Sequence, residues 1–117
     1  MTHCIENQRD PVCQQELESI AASNLNWEAF RNRTVLVTGA TGLVGSYAVR
    51  ALAAVNRIHR CEMRILAMVR NPEKARAIYG ELLDRGDVSL LVGDVRIPIQ
   101  CQEPVHYIIH GASVTAS

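Results

Sequence analysis

Apolar positions along this chain gather into short blocks. The blocks are Val35-Leu36-Val37, Arg64 to Val69, Val88 to Val92 and Val105 to Ile109. Their apolar residues do not alternate with polar ones, the pattern of strands buried on both faces and paired in parallel. Between the first two blocks runs an alanine-rich stretch from about Leu43 to Val55 that predicts a helix. Between the second and third, Asn71-Pro72 supplies a cap residue and then proline at the first helical position. The helix it opens reaches about Asp84, with Ala75, Ile78, Tyr79, Leu82 and Leu83 on its apolar face. Arg96 to Pro104 holds two prolines and reads as a loop. Strand, helix, strand, helix, strand, loop, strand predicts an α/β fold: a doubly wound parallel sheet of about four strands.

Upstream, Asp10-Pro11 repeats the cap-then-proline start, and Cys13, Leu17, Ile20 and Ala21 follow at helical spacing, with Asn24 as the expected end. Trp27, Ala29 and Phe30 suggest a short further turn. Residues 1–33 therefore read as a helical extension placed ahead of the α/β unit, residues 34–117.

Composition changes the picture little. With 117 residues, 48% apolar and 21% charged, the chain suits one globular domain. Its zero net charge gives no reason to expect a nucleic-acid surface or a basic membrane patch. Lys74 is the only lysine; every other cation is arginine. Cys4, Cys13, Cys61 and Cys101 show no metal-ligand spacing with one another or with the histidines, and are expected to be reduced thiols. The polar start and the absence of an apolar run of roughly 20 residues predict a cytoplasmic protein that neither enters nor crosses a membrane.

The chemistry-bearing motif is Thr38-Gly39-Ala40-Thr41-Gly42-Leu43-Val44-Gly45, between a predicted strand and a predicted helix. Gly39 permits a tight turn, Gly42 lets backbone approach a pyrophosphate, and Gly45 lets the helix pack close to the strand. The helix start then offers free N–H groups and partial positive charge to phosphates. A tight turn without a ligand is the alternative.

T-G-x-x-G-x-x-G resembles the short-chain dehydrogenase/reductase superfamily, and within it the extended branch, the NAD(P)-dependent epimerase/dehydratase family acting on nucleotide sugars. The resemblance covers about Thr34 to Ser117 and implies a Rossmann-like fold with a dinucleotide cofactor. By this resemblance Gly39, Thr41, Gly42, Leu43, Val44 and Gly45 form the phosphate loop. Gly93-Asp94-Val95 matches the family's strand-three end, where the aspartate contacts adenine; this implies cofactor contacts at Asp94 and Val95. Tyr107 to Ser113 is similar to the strand-four signature, whose small residues, here Gly111, Ala112 and Ser113, run close to the cofactor. His106 departs from the family, which commonly has aspartate there, and His110 reads as a strand-end histidine without a chemical role. NAD-preferring members carry an acid just past strand two. This chain has Val69, Arg70 and Asn71 there. Arg70 can clamp a 2′-phosphate, so NADP is favoured over NAD; a solvated arginine at a helix start is the alternative.

The family's chemistry implies a Tyr-x-x-x-Lys pair on a later helix and a Ser or Thr on a fifth strand. Four residues after Tyr47, Tyr79 and Tyr107 stand Ala51, Leu83 and Gly111, and Arg70 stands four before Lys74. No catalytic residue is assignable. The chain is therefore expected to be the N-terminal part of a longer nucleotide-sugar enzyme and inactive alone. A stand-alone nucleotide-binding or redox-sensing module, and a truncated product that mainly self-associates, are the other readings. Crossovers of one hand put the helices after strands one and two on a single face. The opposite apolar face is then expected to be covered by the N-terminal helix or by another chain.

Overall fold

The computed structural model describes residues 5–23, 26–93 and 104–111. Four parallel strands, β1 (Thr34–Thr38), β2 (Arg64–Val69), β3 (Val88–Val92) and β4 (Tyr107–His110), form one sheet in the order β3-β2-β1-β4. Val35 aligns with Ile65 on one side and with Tyr107 on the other, and Met68 aligns with Leu91. Helix α2 (Leu43–His59) joins β1 to β2, and α3 (Pro72–Tyr79) with a 3-10 turn (Gly80–Asp84) joins β2 to β3. This is the parallel α/β arrangement that the apolar runs predict.

Helices and one sheet face share a single core. Val35, Val37, Ile65, Ala67, Val69 and Val88 face Val49, Leu52 and Ala53 of α2 and Ala75 and Tyr79 of α3. Removing a valine or leucine of this kind from water is worth about 1.5–3 kcal/mol. The opposite face carries Leu36, Leu66 and Met68, which are also buried, with Leu91 and Val105 packed against them.

Helix α1 (Pro11–Ala21) begins as its sequence dictates: the Asp10 carboxylate accepts from the N–H of Val12 and Cys13, and Pro11 is the first helical residue. It ends at Ala21, before Asn24, which lies outside the described residues. The expectation that this helix shields the second sheet face is corrected. Leu17 and Ala21 join the helix-side cluster, and α1 packs on α2. On the second face the central side chains are already buried, and apolar exposure falls on the outer strand, where Ile108 is 50% exposed. A 3-10 turn at Trp27–Phe30 forms the further turn, and its Phe30 ring lies 5.1 Å from that of Tyr107.

Other boundaries also differ from the pattern. Helix α2 runs four residues past Val55 because its polar end has partners inside the protein. Asn56 donates to the Met63 carbonyl and to Asp87, and accepts from the Met63 N–H. Helix α3 stops at Tyr79 because Gly80 turns left-handed (φ 55°). Strand β4 starts two residues late, at Tyr107: the backbone N–H of His106 still reaches the Thr34 carbonyl, while its ring Nδ1 accepts from the Thr34 N–H at 3.0 Å. The Arg96–Pro104 loop falls outside the described residues, Pro104 excepted.

A buried ionic network binds the N-terminal segment to the α/β unit. Glu6 is 2% exposed. Arg57 of α2 grips both its oxygens at 3.0 Å, the Gln14 amide donates to it at 2.9 Å, and Arg85 donates to it as well. Arg57 also meets Glu18 at 2.8 Å, and Arg85 meets Asp87 at 2.7 Å. Burial alone raises the Glu6 carboxyl, but the bonds from Arg57, Gln14 and Arg85 outweigh it and hold the carboxyl below the usual carboxylate range.

Candidate functional site

The carboxyl ends of the parallel strands lie level. Thr38 aligns with His110, and Val69 with Val92. After β1 the chain crosses to β2 on one side, whereas β4 lies on β1's other side. The gap between β1 and β4 is thus the topological switch point, where open α/β sheets bind ligands beyond the carboxyl ends of their strands.

The glycine loop stands at that point. Gly39 adopts φ +60°, a conformation that side chains other than glycine's disfavour. The Gly42 N–H closes the turn on the Gly39 carbonyl at 3.0 Å, and the Ala40 N–H ties the loop to the Met68 carbonyl at the end of β2. Gly42 is the N-cap of α2 and offers no capping side chain. The first-turn amides of Leu43, Val44 and Gly45 lie ahead of the first intrahelical bond, from Ser46 N–H to the Gly42 carbonyl. Gly42, Leu43 and Val44 are exposed, with Leu43 at 89%. The site therefore offers an accessible helix start carrying partial positive charge, suited to an anion.

Two glycines are set by packing inside the protein. A Cβ on Gly45 would lie 2.1 Å from the Gly39 carbonyl oxygen. A Cβ on Gly111 would lie 2.6 Å from Gly45 Cα and 2.7 Å from the Thr38 carbonyl oxygen. The end of β4 thus rests directly on the first turn of α2. The Gly111 N–H donates to that same Thr38 oxygen at 3.0 Å. The immediate need for glycine at 111 is this contact. His110 turns toward β1, its Nδ1 3.3 Å from the Thr38 hydroxyl.

Arg70 is exposed at the end of β2, one strand over from the loop. The next residue, Asn71, spends its side chain capping α3 by accepting from the N–H of Glu73 and Lys74. Of the remaining predicted contacts, Asp94, Val95, Ala112 and Ser113 lie outside the described residues. Gly39, Thr41, Gly42, Leu43, Val44, Gly45, Arg70 and Gly111 all lie just past the carboxyl ends of β1, β2 and β4.

One residue at the loop is not legible as such in the sequence. Tyr79 reads as a core residue of α3, yet its hydroxyl donates to the Ala40 carbonyl inside the glycine loop. The Arg50 guanidinium sits over its ring, 5.4 Å from the centroid. Burial pushes the Tyr79 phenol well up, against a smaller opposing pull from Arg50, so the hydroxyl stays a donor across the physiological range. The only signal in the sequence is tyrosine at an apolar helix position.

Elsewhere, a cleft of about 230 Å³ separates the N-terminal segment from the end of α3. Its polar groups already serve the fold: Glu6 is held by the arginines, Gln8 donates to Glu81, and Arg9 donates to the Ala77 carbonyl. Cys13 and Cys61 are free thiols, and burial raises that of Cys61. Among the described residues no helix is long and apolar enough to cross a membrane, and no group of three or more His, Cys, Asp or Glu is placed to hold a metal.

No curated protein matches the chain in sequence. Residues 35–116, from within β1 to beyond the end of β4, match the family model described as the NAD dependent epimerase/dehydratase family. A parallel sheet in the order 3-2-1-4 with a glycine loop opening the helix after β1 is consistent with this match, and the chain belongs to the NAD-dependent epimerase/dehydratase family.

Proposed function

We propose that this chain is the NAD(P)-binding portion of an epimerase/dehydratase-type oxidoreductase acting on a nucleotide sugar in the cytoplasm. Residues 34–117 form the nucleotide-binding part and residues 1–33 an added segment. The observation that carries this reading is the exposed, uncapped N-terminus of α2, preceded by a left-handed Gly39, at the switch point between β1 and β4. The residues present fit a dinucleotide. Its pyrophosphate would be held over the amides of Leu43, Val44 and Gly45, with Thr41 and Gly42 at the turn. Asp94 and Val95 would meet adenine, and Gly111, Ala112 and Ser113 would border the nicotinamide side, by likeness to the family. When bound, the nicotinamide supplies reversible hydride transfer; the residues of this chain bind and orient it. No Tyr-x-x-x-Lys occurs in the 117 residues. The catalytic pair is accordingly assigned to sequence beyond them, and this chain alone is expected to be inactive.

NADP is the favoured cofactor because Arg70, and no acid, stands at the end of β2. Calorimetric titration with NADPH and with NADH tests both levels. NADPH should bind more tightly. Arg70→Ala should weaken NADPH by roughly 10- to 150-fold, the worth of a charge-assisted bond, and leave NADH nearly unchanged. No binding of either nucleotide would overturn the site, and equal binding unaffected by Arg70→Ala would overturn the NADP assignment. Self-association through the sheet belongs to the same proposal, with half-exposed Ile108 on the outer strand as its support. A sedimentation profile that stays monomeric across concentration would refute that part.

A further inference from the structure

The geometry points to Tyr79 as a positioning residue for the phosphate loop: by holding the Ala40 carbonyl, it aims the Thr41 N–H outward. This rests on the nucleotide-binding reading of the loop. Ala40 is fully buried at the turn, and both its backbone groups are engaged by different elements. Its N–H donates to the Met68 carbonyl of β2 at 3.2 Å, and its carbonyl accepts from the Tyr79 hydroxyl of α3. The carbonyl of Ala40 and the N–H of Thr41 belong to one planar trans peptide and point in opposite directions. A carbonyl drawn inward to Tyr79 therefore turns the Thr41 N–H away from the core, ahead of the exposed first turn of α2. Gly39, at φ +60° and without a side chain, leaves the orientation of the following peptides to the hydrogen bonds around them.

The tyrosine is itself held in place. Its ring is buried between the sheet cluster and Arg50, whose own guanidinium donates to the Ile78 carbonyl at 2.8 Å. Gly80, left-handed immediately after Tyr79, ends α3 there and leaves the phenol on the last turn, level with the loop. The ring contributes packing, and the hydroxyl contributes the loop contact. Phenylalanine separates the two.

The test is Tyr79→Phe in the full 117-residue chain, read by amide hydrogen exchange and by NADPH titration. Without nucleotide, exchange at the Ala40 and Gly42 amides should rise about fivefold, the factor for one neutral hydrogen bond, while the Ile65 amide, bonded to the Asp87 carbonyl at the far end of the sheet, should not change. NADPH affinity should fall by a similar factor. Unchanged exchange at Ala40 and Gly42, or an equal rise at Ile65, would overturn the inference, the second because it would mark a general loss of stability. Faster loop exchange with unaltered NADPH affinity would also overturn the role in binding. If the wild-type chain binds neither nucleotide, the site reading fails, and the exchange data still decide whether Tyr79 holds the loop. In the wild type, a slowly exchanging Tyr79 hydroxyl proton close to Ala40 is expected, and its absence would count against the contact.

Discussion

Glu6→Gln tests whether the N-terminal segment is integral to the fold. The substitution keeps shape and removes charge. In the folded protein it deprives Arg57 of a two-point contact and Arg85 of one of its carboxylate partners, with Arg57 23% and Arg85 7% exposed at the side chain. Breaking a buried ion pair by altering one partner typically costs about 3–5 kcal/mol, because the other charge stays buried. Here the cost should be lower, since Arg57 retains Glu18 at 2.8 Å and Arg85 retains Asp87 at 2.7 Å. A loss of about 2–3 kcal/mol in urea unfolding is expected. Because the folded carboxyl titrates below its unfolded value, near 4.3, its contribution is complete above that value. It fades as pH falls through the folded pKa. The gap between wild type and variant should therefore be constant from pH 6 to 8 and close as acid is added below about pH 4. A difference under about 0.5 kcal/mol at neutral pH, or one that does not narrow in acid, would refute the reasoning.

Two further substitutions probe the site and its frame. Gly45→Ala places a Cβ 2.1 Å from the Gly39 carbonyl and should destabilise the chain by at least about 1–3 kcal/mol while abolishing NADPH binding; a wild-type melting curve with retained binding would contradict the packing of loop on helix. Asn56→Ala removes three hydrogen bonds at the end of α2, two of them to the backbone of Met63, and should cost about 2 kcal/mol by chemical unfolding without altering nucleotide affinity, whereas a loss under about 0.5 kcal/mol would show that these bonds do not stabilise the longer helix.

The sequence alone determined the local elements. Apolar runs located every strand, and β2 and β3 were legible to the residue: β2 is buried from Ile65 to Val69 and holds no polar position there, while β3, at the sheet edge, keeps its apolar run with Ser89 inside it and Val92 exposed. Asp10-Pro11 and Asn71-Pro72 named two helix starts, because capping is a local matter of one side chain and the next two amides. The glycine spacing likewise located the tight turn that opens α2, because a left-handed residue and a helix start are local features. Tertiary structure decided everything that joins residues distant in the chain. It placed α1 on α2 and not beneath the sheet, since Glu6, Gln14, Glu18, Arg57 and Arg85 meet only once folded, and isolated charges in the sequence read as solvated. It extended α2 through Asn56 by supplying partners 7 and 31 residues away. It set Gly111 against Gly45, and Tyr79 against Ala40, across 39 residues. Periodicity reports which face of an element is buried, but the partner of a polar group is fixed only when strands and helices close around it.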